Sequence, residues 1–173
     1  MKKIILFIFA ICVIGCQQTT QKKSTPNMEY GGFSGTSDDT SKESNMTREL
    51  MAFYLNNEFD KAAYMMSDDG AFYFNADKFD KAGWVGAAAL HHSLFDSITS
   101  SKIQPPIVTT STYDNGEVWS QAWFWWSGKG KATGTQVDVP VHHAFRFENE
   151  HIVAAYHFFD PTLFNAEIQA SKE

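Results

Sequence analysis

The sequence has few cysteines, no excess of basic charge and no hydrophobic run long enough to span a bilayer. Both of its cysteines, Cys12 and Cys16, lie near the N-terminus, so the rest of the chain can form no internal disulfide bond. The formal net charge of -6 argues against nucleic acid as a partner, because nucleic-acid-binding surfaces are usually basic. No glycine-rich phosphate-binding motif is present. We therefore expect a protein that is stabilised by a packed core and uses no cofactor.

The N-terminus has the pattern of an export signal. Two lysines precede an apolar run, Ile4 to Ile14, which is shorter than the about 20 residues that cross a bilayer as a helix. The run ends in Val13-Ile14-Gly15-Cys16, which resembles the lipobox of bacterial lipoproteins. That resemblance implies a signal peptide over residues 1–15, cleavage before Cys16 and attachment of lipid to Cys16. A plain signal peptide or a short anchor is the alternative.

Residues 16–44 have the composition of a linker. They are poor in apolar side chains and rich in Gln, Thr, Ser, Lys, Gly and Asp, so we predict a disordered tether. Gln17 occupies the position at which an aspartate signals inner-membrane retention in enteric bacteria, which favours the outer membrane. The composition changes near residue 45, and residues 45–173 are long enough for one domain.

The apolar spacing after residue 45 predicts helices and strands in a definite order. Two helices come first, then a short strand, a third helix, four antiparallel strands and a C-terminal helix. The approximate ranges are 46–54, 59–66, 71–75, 83–99, 104–113, 117–127, 135–148 and 152–159, and the last helix begins at Pro161. Asn115-Gly116 predicts a two-residue type I′ turn, and Asn149-Glu150 permits a second tight turn. This order indicates an α+β fold in which a curved antiparallel sheet carries helices on one face.

Several segments of this region also occur in the order found in a known family. They are Ser67–Phe72, the helix start at Gly83, Ala132–Val137, Phe147–Ile152, Tyr156 and Phe159-Asp160. Together they resemble the SnoaL-like branch of the nuclear transport factor 2-like superfamily, over residues 45–170. One departure is Glu150-His151, where the family commonly has Gly-Lys.

The resemblance implies a cone-shaped roll in which the concave sheet face and the N-terminal helices enclose an apolar cavity. Family members include polyketide cyclases, ketosteroid isomerases, dehydratases, epoxide hydrolases and non-catalytic binders, so the fold alone does not decide the reaction. Catalytic members place an Asp or His in the cavity as a general base, beside tyrosine, aspartate or histidine donors.

His143 is the first candidate for the cavity. It lies on the apolar side of the strand over residues 135–148, although a neutral buried histidine bonded to the backbone is the alternative. Asp160 is the second catalytic candidate, since it shares strand parity with Tyr156, but its position before Pro161 also suits a helix cap. The predicted ligand pocket contains His91, Tyr73, Trp84, Trp123, Trp125 and Tyr156.

Some of these pocket residues have alternatives. Tyr73 and Tyr156 are equally good core aromatics. In the strand over residues 117–127, Trp123 and Trp125 face one side and Phe124 and Trp126 the other, and the sequence does not decide which side is inside. The six histidines show no metal-ligand spacing, so we predict no metal site.

The leading interpretation is a lipid-anchored domain of the cell envelope that binds a small apolar or aromatic molecule in a conical pocket. An isomerase, cyclase or hydrolase that uses His143 as its base is the first alternative. A non-catalytic protein-interaction module is the second. The strand over residues 152–159 is apolar on both faces, which predicts a homodimer formed through the open face of the sheet.

Overall fold

The computed structural model describes residues 31–173, and these residues form one unit. The predicted signal peptide, the lipidation site Cys16 and residues 16–30 of the predicted tether lie outside the described residues. No helix between residues 31 and 173 combines the length and apolar character that a membrane span requires.

The described region contains eight strands, three α-helices and one 3₁₀ helix. The strands are β1 (Gly35–Asp38), β2 (Met66–Phe74), β3 (Asp77–Phe79), β4 (Phe95–Thr99), β5 (Ile107–Tyr113), β6 (Val118–Gly130), β7 (Gln136–Glu148) and β8 (His151–Phe158). The helices are α1 (Lys42–Leu55), the 3₁₀ helix Phe59–Met65, α2 (Lys81–Leu94) and α3 (Thr162–Ala170).

The strands form one curved, unclosed sheet in the order β1-β5-β6-β7-β8-β2-β3, and β4 pairs with β6. Neighbouring strands are antiparallel except β2 and β8, which run parallel. Helices α1 and α2 cover the inner face of the sheet, where Leu50 and Trp84 join the buried core. The predicted α+β roll is therefore confirmed, with one parallel pair added.

The folded region starts earlier than residue 45. Strand β1 pairs with β5, and α1 begins at Lys42, so both lie partly or wholly within the range predicted as tether. The reason is that α1 attaches to the sheet through hydroxyl groups. Buried Ser44 bonds Thr110 at 2.8 Å, and buried Thr47 donates to Ser120 at 2.7 Å. Such residues contribute no apolar periodicity, so the sequence pattern resembles a linker.

Two further expectations were wrong in detail. The third helix ends at Leu94 rather than near residue 99, because residues 95–99 form β4 along the glycine-containing end of β6. Asn115-Gly116 lies in a three-residue turn, since Tyr113 N–H donates to the Glu117 carbonyl at 2.9 Å. Asn149-Glu150 forms the tight turn that the sequence permitted, with φ angles of 48° and 65°.

Strand β8 contains a bulge that reverses its side-chain direction. Phe147 of β7 pairs with Ile152, but the adjacent Arg146 pairs with Ala154, which leaves Val153 as the extra residue. One extra residue moves every later side chain to the opposite face. Alternate residues after the bulge, including Ala155 and His157, are therefore buried on the inner side.

Helix α3 packs Phe164 into the core and is also attached to the rest of the domain by a buried carboxylate. Glu167 is almost fully buried and accepts hydrogen bonds from Ala132 N–H at 2.6 Å, Thr133 N–H at 3.1 Å and the Thr133 hydroxyl at 2.7 Å. Burial opposes the charged form, but these hydrogen bonds prevail and lower the pKa of Glu167 below its usual value. Gly130 leaves the necessary space, because a Cβ there would lie 2.2 Å from the Glu167 carboxylate.

We expect Glu167→Ala to reduce the free energy of unfolding by about 2–4 kcal/mol, because hydrogen bonds to a charged group are worth about 1.5–3 kcal/mol each and three of them would be lost. Urea unfolding followed by circular dichroism measures the change. Glu173→Ala, at the exposed C-terminus, is the matched control. Equal stability of the two variants would contradict a structural role for Glu167.

Candidate functional site

An apolar cavity of about 70 Å³ lies between the helices and the sheet. One water-sized group needs about 10–15 Å³, so the cavity has room for several such groups. Its wall joins two clusters of the core, one containing Leu50, Trp84 and Phe145 and the other containing Phe124 and Trp126. The cavity therefore interrupts what would otherwise be a continuous hydrophobic core.

Three histidines line this otherwise apolar cavity: His91 from α2, His143 from β7 and His157 from β8. His143 and His157 are direct cross-strand partners, with ring centroids 4.1 Å apart and ring planes 87° apart. Both ring nitrogens of the buried His157 lack a hydrogen-bond partner. For His143 no ring hydrogen bond occurs within residues 31–173. A buried polar group without a partner costs about 1–3 kcal/mol, so the unpaired His157 requires an explanation.

His91 belongs to a short chain of hydrogen bonds. Its Nδ1 lies 3.1 Å from the Tyr54 hydroxyl, and the Trp126 indole N–H donates to the same hydroxyl at 2.7 Å. Burial raises the pKa of Tyr54, so this hydroxyl keeps its proton at neutral pH. The chain crosses the core from α2 through α1 to β6.

The cavity favours neutral imidazoles. Burial lowers the pKa of His143 to about 3 and that of His91 to about 4. Burial, followed by repulsion from the charged forms of the other two histidines, also moves the pKa of His157 well below its usual value. No aspartate or glutamate lines the cavity to offset these effects. All three rings are therefore uncharged near pH 7 and can act as donors, acceptors or weak bases.

Three predicted site residues line the cavity and five do not. His143, His91 and Trp84 are in its wall. Tyr73, Tyr156, Trp123, Trp125 and Asp160 are not.

The parity of β6 and the bulge in β8 explain three of the misplaced residues, and a fourth, Tyr73, stacks on one of them. On β6, Phe124 and Trp126 face the cavity, so Trp123 and Trp125 belong to the outer face, where Trp123 stacks on His142. On β8, the bulge at Val153 turns Tyr156 outward, and it stacks on Tyr73 of β2 with ring centroids 5.0 Å apart. The aromatic residues predicted as pocket walls therefore form an outer surface.

Asp160 is exposed and has a structural task. Its Oδ1 accepts hydrogen bonds from Thr162 N–H at 2.9 Å and from the Thr162 hydroxyl at 2.7 Å, at the start of α3. These bonds lower the pKa of Asp160. Asp160 therefore holds Thr162 in the first turn of α3, although Pro161 and not Asp160 is the N-cap residue, and the structure gives Asp160 no place in the cavity.

His157, Tyr54 and Trp126 also line the cavity, although the sequence did not predict them as members of the site. A bulge leaves no clear sequence signal, so His157 could not be placed on the inner face by alternation. Tyr54 lies at the end of the predicted helix 46–54, where an aromatic side chain gives no separate signal for its hydroxyl group. Among residues 31–173, no group of three or more His, Cys, Asp or Glu side chains is arranged to hold a metal ion.

Solved structures of similar fold come from several bacteria. A candidate isomerase from Bacillus subtilis has a TM-score of 0.59 and 17% sequence identity, covering 77% of this chain and 96% of its own. A candidate SnoaL-like polyketide cyclase from a Jannaschia species has a TM-score of 0.55 and 15% identity, covering 76% and 96%. A nuclear transport factor 2-like protein from Burkholderia xenovorans has a TM-score of 0.56 and 10% identity, covering 79% and 98%.

These identities are low enough that the similarity shows the fold alone. No sequence-family profile and no curated protein sequence matches the chain. The described domain therefore shares the curved-sheet α+β fold of these proteins, which is the fold that the resemblance implied. Its function has to be argued from the cavity.

The buried histidines predict a pH-dependent stability. Their folded-state pKa values lie below the unfolded value of about 6.5, so below that pH the unfolded chain binds more protons. The free energy of unfolding should therefore be greatest above pH 6.5 and fall as the pH drops, by up to about 1.4 kcal/mol per pH unit for each histidine. Urea unfolding between pH 5 and 7 measures this slope.

We expect His143→Leu to reduce that slope by about one third, since one of three titrating cavity residues is removed. The matched control is His151→Leu, because His151 is exposed at the start of β8. A slope that His143→Leu leaves unchanged would mean that the pKa of this imidazole is the same in the folded and the unfolded protein, and would contradict its burial as a neutral group.

Proposed function

We propose that the domain binds a small, mainly apolar molecule in the cavity between α1, α2 and the sheet. The observation that carries this proposal is the unpaired His157 in an apolar wall. If the cavity bound no ligand, a larger apolar side chain in place of His157 would fill it and would avoid the cost of an unpaired imidazole. A ligand with one polar group can supply the missing partner and fill the empty volume.

The electrostatics of the cavity support a neutral ligand. Its ionisable side chains are Tyr54 and the three histidines, all uncharged near pH 7. A charged ligand would lose its hydration there without meeting an opposite charge. The aromatic members of the wall, such as Trp84 and Phe145, suit the faces and edges of an aromatic ring.

Filling the cavity should prevent binding. Ala88 of α2 lies in its wall, so Ala88→Leu adds three carbon atoms to the space that a ligand would use. With nitrobenzene as a probe that quenches tryptophan emission, we expect the affinity to fall about tenfold or more, since a lost apolar contact of this size is worth about 1.5–3 kcal/mol.

The neighbouring Ala89 supplies the matched control. It is exposed on the same helix, and Ala89→Leu should bind nitrobenzene as the wild type does. Equal affinities of both variants, or no saturable quenching in the wild type, would contradict a binding function of this cavity. Native mass spectrometry of the purified domain identifies any molecule that is retained from the cell.

A second candidate is proton transfer to or from a bound carbonyl compound. The close, perpendicular His143–His157 pair favours it, because an imidazole that lacks a protein partner is free to accept a proton from a ligand. His143 is then the base, as the sequence analysis proposed, and His91 can donate to the oxygen. Asp160 and Tyr73 cannot assist, since neither lines the cavity.

Proton transfer would be detected as exchange of the methyl protons of acetophenone for solvent deuterium, measured by proton NMR. His143→Gln should lower the exchange rate by about 10²-fold or more, as is typical for loss of a general base. Binding without any catalysed exchange would leave the domain a binder and reject this candidate.

We also propose that the domain is held at the cell envelope by lipid on Cys16, on the outer membrane. The pattern Val13-Ile14-Gly15-Cys16 supports this proposal. Loss of membrane association in Cys16→Ser cells is its test.

The outer face of the sheet supports the proposed homodimer. It carries the exposed aromatic residues Trp123 and Phe158, which are 37% and 48% exposed, beside the stacked pair Tyr73 and Tyr156. The interaction-module alternative uses the same face. Sedimentation of the domain as a monomer at micromolar concentration would contradict a stable dimer.

A further inference from the structure

We propose that Tyr54 and Trp126 hold His91 as a hydrogen-bond donor toward the cavity, so that the bound molecule is one with a neutral acceptor oxygen, such as a ketone, ester or ether. The inference rests on the proposed binding function and specifies the ligand class of the same cavity. Tyr54 and Trp126 are positioning residues in it, and His91 is the residue that contacts the ligand.

The direction of the hydrogen bonds follows from what each group can donate. An indole N–H is a donor only, so the Tyr54 oxygen must accept at the 2.7 Å contact with Trp126. The Tyr54 hydroxyl retains a single proton to donate. The acceptor within reach is His91 Nδ1, at 3.1 Å. In that arrangement Nδ1 carries no proton, and a neutral His91 has its proton on Nε2.

The opposite arrangement is less favourable. If Nδ1–H donated to Tyr54, the hydroxyl oxygen would accept twice and its own proton would have no acceptor among residues 31–173. A buried hydroxyl that donates to nothing costs about 1–3 kcal/mol, which is enough to select one tautomer. The chain from Trp126 through Tyr54 thus fixes the proton of His91 on the nitrogen that remains free.

The surroundings of His91 determine what this free N–H can meet. Its ring centroid lies 5.0 Å from that of Phe164 and 6.0 Å from that of Phe74, both of which also line the cavity. These neighbours offer no hydrogen-bond acceptor. No partner for Nε2 occurs in the described part of the chain. An acceptor on the ligand therefore gains a hydrogen bond at His91, whereas a purely apolar group leaves this donor unpaired.

The tautomer can be tested without any ligand. In the protein labelled with ¹⁵N histidine, long-range proton–nitrogen spectra near pH 7 should show His91 with a protonated Nε2 and an unprotonated Nδ1. Tyr54→Phe should give a mixture of the two tautomers or reverse them. Tyr64→Phe is the matched control, because the Tyr64 hydroxyl bonds only Glu49 at the surface and should leave the His91 signals unchanged.

The ligand class is tested with a pair of probes of nearly equal shape. Acetophenone carries a carbonyl oxygen where 2-phenylpropene has a methylene group. We expect the wild type and Tyr64→Phe to bind acetophenone about 2- to 10-fold more tightly than 2-phenylpropene, because the carbonyl oxygen adds one neutral hydrogen bond. In Tyr54→Phe the preference for acetophenone over 2-phenylpropene should fall below about 2-fold. The affinity of this variant for 2-phenylpropene should stay within about 2-fold of the wild-type value. Titration calorimetry measures both affinities.

The outcomes separate the two proposals. If wild-type His91 carries its proton on Nδ1, or if Tyr54→Phe leaves its tautomer unchanged, the positioning role is wrong even when both probes bind. If both probes bind with equal affinity to the wild type, the cavity is a binding site but the acceptor preference is wrong. If neither probe binds, the ligand class fails together with the proposed function, and the NMR result still decides the role of Tyr54. His91→Phe lacks the donor and should therefore bind acetophenone and 2-phenylpropene with equal affinity, whichever tautomer the wild type has.

Discussion

The extra residue at Val153 is the constraint on which the interior of this domain depends. Because β8 is bulged there, Ile152 and His157 both face inward although they are five positions apart, and an unbulged strand would place them on opposite faces. Without the bulge, Tyr156 and Phe158 would enter the core and His157 would meet solvent. The cross-strand pair His143–His157 is therefore a product of strand register. Bulges re-aim side chains beside functional sites in many proteins, which agrees with the position of this one.

The cavity is energetically unfavourable in two ways, and both favour a functional interpretation. Empty volume forfeits packing between the two halves of the core, and neutral histidines occupy positions where leucine or phenylalanine would pack better. Aromatic contacts around the rings return part of this cost, since His157 packs edge-on to Phe74 at 4.7 Å. Natural sequences retain such sites mainly where binding or chemistry requires them, because a stability optimum would remove them.

The sequence predicts those parts of the fold whose signal is local. Alternation in β7 predicts the inner-face position that His143 occupies beside Val141 and Phe145, and Trp84 and His91, which were predicted in the pocket, also line the cavity. It could not place His157, because one bulge defeats the parity rule, or choose a face for Trp123, because β6 is aromatic on both sides. It also missed the hydroxyl contacts that begin the domain before residue 45. These features depend on pairing between distant segments, which local spacing does not encode.

The similarity in fold to a candidate isomerase and a candidate polyketide cyclase does not transfer a mechanism to this chain, because sequence identities of 17% and 15% show the fold alone. No Asp or Glu lines the cavity, so any base there is a neutral imidazole whose conjugate acid is disfavoured by burial. Such a base accepts a proton only when negative charge develops beside it, for example on an oxygen that accepts a hydrogen bond. Proton transfer in this cavity therefore requires that a histidine donor and a histidine acceptor contact the same ligand. Binding alone requires only one of these contacts. The geometry supports binding first and proton transfer only where both contacts are made at once.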